Sequence, residues 1–266
     1  MKKIVIFMFS GTGMTYYVIG KIKNEFAKKK IQADVYLLEK TNAKVINVNN
    51  YDMLGIAYPV HSFNAPEIVI DFAKKLPEVT SINTETKTVI DTFIISTAGG
   101  ESSSNFSSSR LLSKILRKKG YNVFYDKQFI MPCNFMVKDS EDTVKDKLNK
   151  VNTEIPKTAD EIIKRTPQKL KENCFSKTIA FLGRLEWAGL RIMQKFFYIT
   201  SVCNNCMVCV KHCPKSNIAL ANKNIVFKKQ CMLCMKCVYL CPKQCIKTKR
   251  LFKFITFNEW YKKPSS

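Results

Sequence analysis

One cysteine pattern occurs twice in this 266-residue chain, and it constrains the fold more than any other feature. Cys203, Cys206, Cys209 and Cys213 follow C-x2-C-x2-C-x3-C, with Pro214 next. Cys231, Cys234, Cys237 and Cys241 repeat the spacing, with Pro242 next, so each cysteine has its mate 28 residues on. Ile218 and Ile246 extend the register, which marks an internal duplication. Nine of the eleven cysteines lie between 203 and 245; only Cys133 and Cys174 precede them, and no pattern gives those two a role. The opening "MKKIVIFMFSGTG" reads as a buried strand and not as a signal peptide, because its apolar run breaks at Ser10 and Gly11. The cytosolic context this implies keeps thiols reduced, which argues against disulfides.

Structural zinc takes four ligands, usually as two pairs separated by a longer spacer. Three cysteines at i, i+3 and i+6 suit three irons of one cubane better, with the fourth ligand supplied from elsewhere. In two-cluster runs of this spacing the fourth cysteine serves the other cluster. That assigns Cys203, Cys206, Cys209 and Cys241 to one [4Fe–4S] cluster and Cys231, Cys234, Cys237 and Cys213 to a second. Residues 201–248 thus resemble the bacterial 2[4Fe–4S] ferredoxins, which implies a small α+β ferredoxin-like domain. Cys245 matches Asn217 in the repeat and reads as a small buried residue, not a ninth ligand.

The first 135 residues alternate short apolar runs with amphipathic ones. Candidate strands are 3–9, 34–38, 53–58, 88–96 and 122–131; candidate helices are 15–29, 66–75 and 104–119. Near-continuous apolar strands such as "IVIFMF" suit a sheet buried on both faces. Alternation of strand and helix predicts an α/β domain built on a doubly wound parallel sheet of five strands. A long polar helix is expected over 139–165.

"FSGTGMT" follows the first strand and opens the first helix. Unpaired backbone N–H groups and the helix dipole favour an anion there. The loop lacks a lysine and fits neither GxxxxGK[ST] nor GxGxxG. Its hydroxyls suit a phosphate monoester held by neutral donors, with Gly11 and Gly13 letting the backbone approach closely.

This stretch resembles the phosphate loop of flavodoxins, with Ser10, Thr12, Gly13 and Thr15 on the pattern and Gly11 and Met14 between them. The resemblance covers roughly residues 1–165 and implies a flavodoxin-like fold with FMN. The flavin-ring loops would then be Tyr58, Pro59, Val60 and His61 after the third strand, and Ser96, Thr97, Ala98, Gly99 and Gly100 after the fourth. Tyr58 and His61 are the ring-stacking candidates. The serine-rich 102–109 reads as a flexible loop and helix start.

Together the FSGTG loop, the "PVH" loop and the eight cysteines resemble a bacterial and archaeal flavodoxin–ferredoxin fusion family (EFR1-type). The domains expected are a flavodoxin-like 1–165, a helical connector 166–199, a 2[4Fe–4S] ferredoxin 200–250 and a tail 251–266. The function implied is electron transfer between two [4Fe–4S] clusters and an FMN in a low-oxygen cytoplasm. Alternatives are a cluster-fed flavin-dependent reductase of a small organic substrate, and a ferredoxin whose flavin-free half serves for docking. No acid–base or nucleophilic constellation marks a catalytic residue.

Charge separates the halves. Residues 1–150 hold 22 Lys and Arg against 15 Asp and Glu, whereas 151–266 hold 22 against 6. An acidic redox partner suits that basic half; nucleic acid would not explain the cysteines. No run is long and apolar enough to span a membrane. Phe175–Thr200 reads as a connector that buries Phe181, Leu182, Leu185, Trp187 and Leu190. An interfacial membrane helix, with Arg184, Arg191 and Lys195 on one face, is the lesser reading.

Overall fold

The structure, a computed structural model, describes residues 2–43, 46–79, 89–100, 103–133, 139–193, 195 and 197–248, the side chains of 185–193 and 248 excepted. The expected tail, and the side chains of Leu185, Trp187, Leu190 and Arg191, lie outside the described residues.

Five strands form one parallel sheet: β1 (Lys3–Met8), β2 (Gln32–Leu37), β3 (Met53–Pro59), β4 (Ile90–Ala98) and β5 (Tyr121–Ile130). Their spatial order is β2-β1-β3-β4-β5, the flavodoxin-like order of a doubly wound sheet. Period-2 alternation sends Ile4, Ile6 and Met8 to one face and Val5, Phe7 and Phe9 to the other. Helices α1 (Met14–Lys28) and α4 (Glu141–Ile163) cover the first face, while α2 (Glu67–Lys75) and α3 (Arg110–Lys118) cover the second. Because both faces are covered, β1 has no polar alternation to show; every residue from Ile4 to Met8 is buried.

The Ser140 side chain caps α4, accepting from Thr143 N–H at 3.2 Å, and Glu141 and Asp142 follow in the first turn. Beyond α4 the chain returns to the sheet edge: Asp126 N–H donates to Gln168 O and Gln168 N–H to Phe124 O. The serine-rich stretch is packed structure and not a flexible loop. Residues Ser103–Ser107 make a 3-10 turn, and Ser107, Ser108 and Ser109 are buried. Ser109 donates to the buried carboxylate of Asp126.

Along its described side chains, helix α5 (Cys174–Met193) docks through small residues and not through Phe181 and Leu182. Asn64 Nδ2 donates to Ala180 O at 2.8 Å, and the hydroxyls of Ser107 and Ser176 pair at 2.8 Å. A Cβ on Gly183 would lie 2.2 Å from Ser62 O. Ser176, Ala180 and Gly183 recur at i, i+4 and i+7, so one close-packed face meets the loops. Phe181 and Leu182 consequently face outward, 61% and 49% exposed, which corrects the expectation for those two side chains.

The rest forms a small lobe: β6 (Phe197–Ile199) pairs antiparallel with β9 (Ile246–Thr248), and β7 (Ile218–Ala221) with β8 (Asn224–Phe227). Short helices α6 (Val208–Lys211) and α7 (Lys236–Leu240) each carry the third cysteine of their run, Cys209 and Cys237. No helix among the described residues is long and apolar enough to cross a membrane.

Candidate functional site

Strand order reverses between β1 and β3, and open parallel sheets place ligands at the carboxyl ends of such strands. A cavity of about 240 Å³ lies there. From the α/β domain it takes Gly11, Thr12 and Met14 after β1, Pro59, Val60 and His61 at the end of β3, and Thr97, Ala98 and Gly99 at the end of β4. Met131, Pro132 and Cys133 close one side. The roof is Met232, Leu233, Cys234 and Met235, from the second cysteine run.

The loop after β1 is built from behind by residues that do not face the cavity. Gly13 takes a left-handed φ of 102° at the start of α1, a conformation only glycine adopts freely. Ser10 Oγ accepts from the N–H groups of Gly13 (3.2 Å) and Tyr16 (3.4 Å). Thr15 is buried, and its hydroxyl pairs with that of Thr97 at 2.9 Å, tying the first loop to the end of β4. Gly11, expected to make room for a phosphate, also makes room for protein. A Cβ there would sit 2.1 Å from the carbonyl oxygen of Cys234.

Three residues expected at the flavin ring do not face the cavity. Tyr58 is fully buried in the core, and Ser96, its partner across β3 and β4, is equally buried. Their neighbours Pro59 and Thr97 face the cavity, because adjacent strand residues point to opposite faces. Gly100 is exposed and lies outside the lining. The hydroxyl of Tyr58 sits near Ser108 and Asp126 instead, and burial, with Asp126 adding, holds its pKa well above the phenol range. His61 does line the cavity. Its ring meets Phe9 edge-on at 6.3 Å, its backbone exchanges two 2.9 Å bonds with Asn64, and desolvation lowers its pKa to about 4. His61 is therefore neutral at neutral pH, and no Lys, Arg, Asp or Glu is among the lining residues.

The duplication is visible in the backbone. Left-handed residues recur 28 apart: Asn205 and Leu233 (φ 53° and 50°), Met207 and Met235 (62° and 61°), Ser216 and Gln244 (48° and 46°). Equivalent N–H groups reach equivalent sulfurs: Asn217 N–H to Cys213 Sγ at 3.2 Å, Cys245 N–H to Cys241 Sγ at 3.4 Å. Cys245 is buried, as a small packing residue would be. Burial pushes the Cys209 thiol up, and the sulfurs that add to this are Cys241 and Cys203. Burial pushes Cys231 to about 11 and Cys234 to about 12; Cys213 adds to both and Cys231 to the second. The thiols thus interact within the two groups 203/209/241 and 213/231/234. Cys237 stands against Cys234, Cys231 and Cys213 and, after them, Cys209. Among the described residues no three Cys, His, Asp or Glu meet at a single metal point. In a cubane each cysteine takes its own iron, so the sulfurs of a set need not.

The lobe is fastened to the sheet domain beside the cavity. Met232 is buried in the sheet's second core. Lys236 pairs with the buried Glu39 and lies 5.9 Å over the Phe9 ring. Lys215 bridges Glu67 at 3.1 Å and Asp71 at 3.4 Å. The roof was missed at the sequence level, although a signal exists. Asn204-Asn205 in the first run correspond to Met232-Leu233 in the second, a polar pair exchanged for an apolar one.

Residues 195–242 match the 4Fe-4S dicluster domain family. With the sheet order above, the chain fuses a flavodoxin-type α/β domain to a dicluster domain. Solved structures with similar folds include a flavodoxin of Streptococcus pneumonia TIGR4 (10% identity, 62% of this chain, 100% of that chain, TM-score 0.43). A putative quinone reductase from Klebsiella pneumoniae is similar at 12% identity over 63% of this chain and 87% of that one, TM-score 0.44. An NAD(P)H:quinone oxidoreductase from Methanothermobacter marburgensis is similar at 12% identity over 59% and 96%, TM-score 0.42. No curated protein matches the sequence.

Proposed function

We propose that this protein is an electron-transfer flavo-iron–sulfur protein of the cytoplasm, moving electrons between two [4Fe–4S] clusters and an FMN. One observation carries the reading: the cysteine run Cys231–Cys237 roofs the cavity at the carboxyl end of the sheet. A redox centre held by that run would border whatever the cavity holds.

The residues present fit both groups. Cys203, Cys206, Cys209 and Cys241 would hold one cubane, and Cys231, Cys234, Cys237 and Cys213 the other. Backbone N–H groups around Gly11–Met14, with the Thr12 hydroxyl, would hold the FMN phosphate without a cation. Met14, Val60, Met131, Met232, Leu233 and Met235 supply apolar walls for the ring. Bound there, FMN joins one-electron clusters to two-electron chemistry. The neutral His61 adds no charge beside the ring, and the roof covers one side of it. Fixing donor and acceptor in one chain replaces a diffusive encounter by a permanent one.

A reductase needs space for a substrate beside the flavin. Ligand sites usually measure about 300–1,000 Å³, and this cavity is about 240 Å³. A flavin ring would take up that volume and leave none for a substrate beside it, which supports a carrier. Residues 197–248 contain eight lysines and no Asp or Glu, which suits a one-electron protein partner with an acidic surface. Anaerobic purification followed by iron, sulfide and FMN quantitation tests the reading. Two cubanes and one FMN per chain are expected. An extract of denatured holoprotein without FMN would sink it.

A further inference from the structure

We infer that the two cluster sites have fixed and different places in the electron path. The Cys231/Cys234/Cys237/Cys213 site is the flavin-side centre, and the Cys203/Cys206/Cys209/Cys241 site is the outward one, where an acidic one-electron carrier exchanges electrons. The inference rests on the flavin reading above.

Four observations separate two sites that share one motif. Cys234 lines the cavity and its carbonyl occupies the space left by Gly11. No cysteine of the other set lines that cavity, and Cys206 is exposed. Met232 packs into the sheet's core, whereas its repeat mate Asn204 is exposed. Lys236, beside Cys237, is held by Glu39 of the sheet domain, while Asn205, beside Cys206, reaches only within the lobe, donating to Lys223 O at 2.9 Å.

That last bond sets the exposed Lys223 beside the outward run. That run also carries the exposed Val202 (60%), Asn204 and Cys206, next to Asn205 in sequence. An apolar contact with a cationic rim, on a lobe without a carboxylate, matches an acidic protein surface. Electron transfer weakens steeply with distance, so a partner here reaches the outward cluster first and the flavin last. Each passage moves one electron. The partner is oxidised by one, each cluster gains and then loses one, and the flavin gains one. Two passages, with protons from solvent, complete a two-electron reduction; oxidation runs the same path backward.

The test uses the full-length holoprotein under anaerobic conditions. Magnetic interaction between the flavin radical and the reduced clusters is read by electron paramagnetic resonance. Cys206→Ser, which removes an outward ligand, should leave the strong interaction intact, and Cys237→Ser should abolish it; the reverse pattern overturns the order. Glu39→Gln keeps all eight cysteines and every cavity-lining residue and removes only the ion pair that holds Lys236 to the sheet domain. It should retain iron and FMN yet slow flavin reduction by the clusters, and an unchanged rate overturns the contact. With a reduced acidic 2[4Fe–4S] ferredoxin as probe, Lys223→Glu should lower the rate of cluster reduction, and an unchanged rate removes the port. FMN present with the order reversed defeats only this inference; FMN absent defeats the flavin reading beneath it.

Discussion

The sheet domain and the dicluster lobe build their interiors differently. Two layers of buried apolar side chains flank the sheet, anchored by Phe7, Phe26, Phe93 and Phe129. The lobe's buried apolar cluster is Phe197, Met235, Cys245 and Ile246, with the cysteines themselves packed around it. Its four strands are three or four residues long and lie in two separate ribbons. A ribbon of that size is marginal in water by itself. One domain is held by its side chains; the other depends on what its cysteines bind.

The hardest test of that contrast removes the clusters. Anaerobic chelation of all the iron should strip amide-exchange protection from 197–248 and leave it in β1, β3 and β4. Loss of ligand binding and loss of folding are one event in such a module. Uniform loss in both regions would break the comparison. Next in size, Phe7→Ala should destabilise the sheet by about 3–5 kcal/mol through the cavity it leaves. Exchange in the β1 amides measures it, with the cluster absorbance of the lobe unchanged.

A smaller effect depends on pH. Burial raises Asp126 to about 7, opposed by the Ser109 hydrogen bond and nudged by Glu172 and Arg117. The folded protein therefore holds a proton that the unfolded chain releases near 3.8. Sheet stability is fullest below the latter value and falls as pH rises through about 7, by up to about 4 kcal/mol. Asp126→Asn should flatten this slope between about pH 4 and 7, and an unchanged denaturation profile would contradict it. His61 slopes the other way: lowered to about 4, it costs stability as pH falls below 6.5. Smallest, Lys215→Ala should weaken the seam by about 0.5–1 kcal/mol, an effect that fades in high salt, since Glu67 and Asp71 are partly exposed.

Much of this was legible in the sequence. Apolar runs give the five strands to within two residues at each end, and cysteine spacing gives the duplication. What the sequence hides is orientation. Tyr58 and Pro59 are neighbours, as are Ser96 and Thr97, and only sheet register decides which of each pair turns to the cavity. Gly11 shows the same limit from another side. A glycine after a strand announces a close approach, but not of what. In the connector, apolar content pointed to Phe181 and Leu182, while the docked face is the small, quiet one at Ser176, Ala180 and Gly183. The roof was within reach: comparing the repeats position by position exposes Met232-Leu233 against Asn204-Asn205.

The carbonyl of Cys234 seated over Gly11 also bears on flavin retention. A cavity roofed by a second module shares its walls with that module, so on the flavin reading the iron–sulfur lobe helps to retain the flavin. Flavin dissociation then reports the seating of the iron–sulfur module: chain lacking clusters should shed FMN faster than holoprotein on dilution, and equal rates would show that the lobe does not retain it.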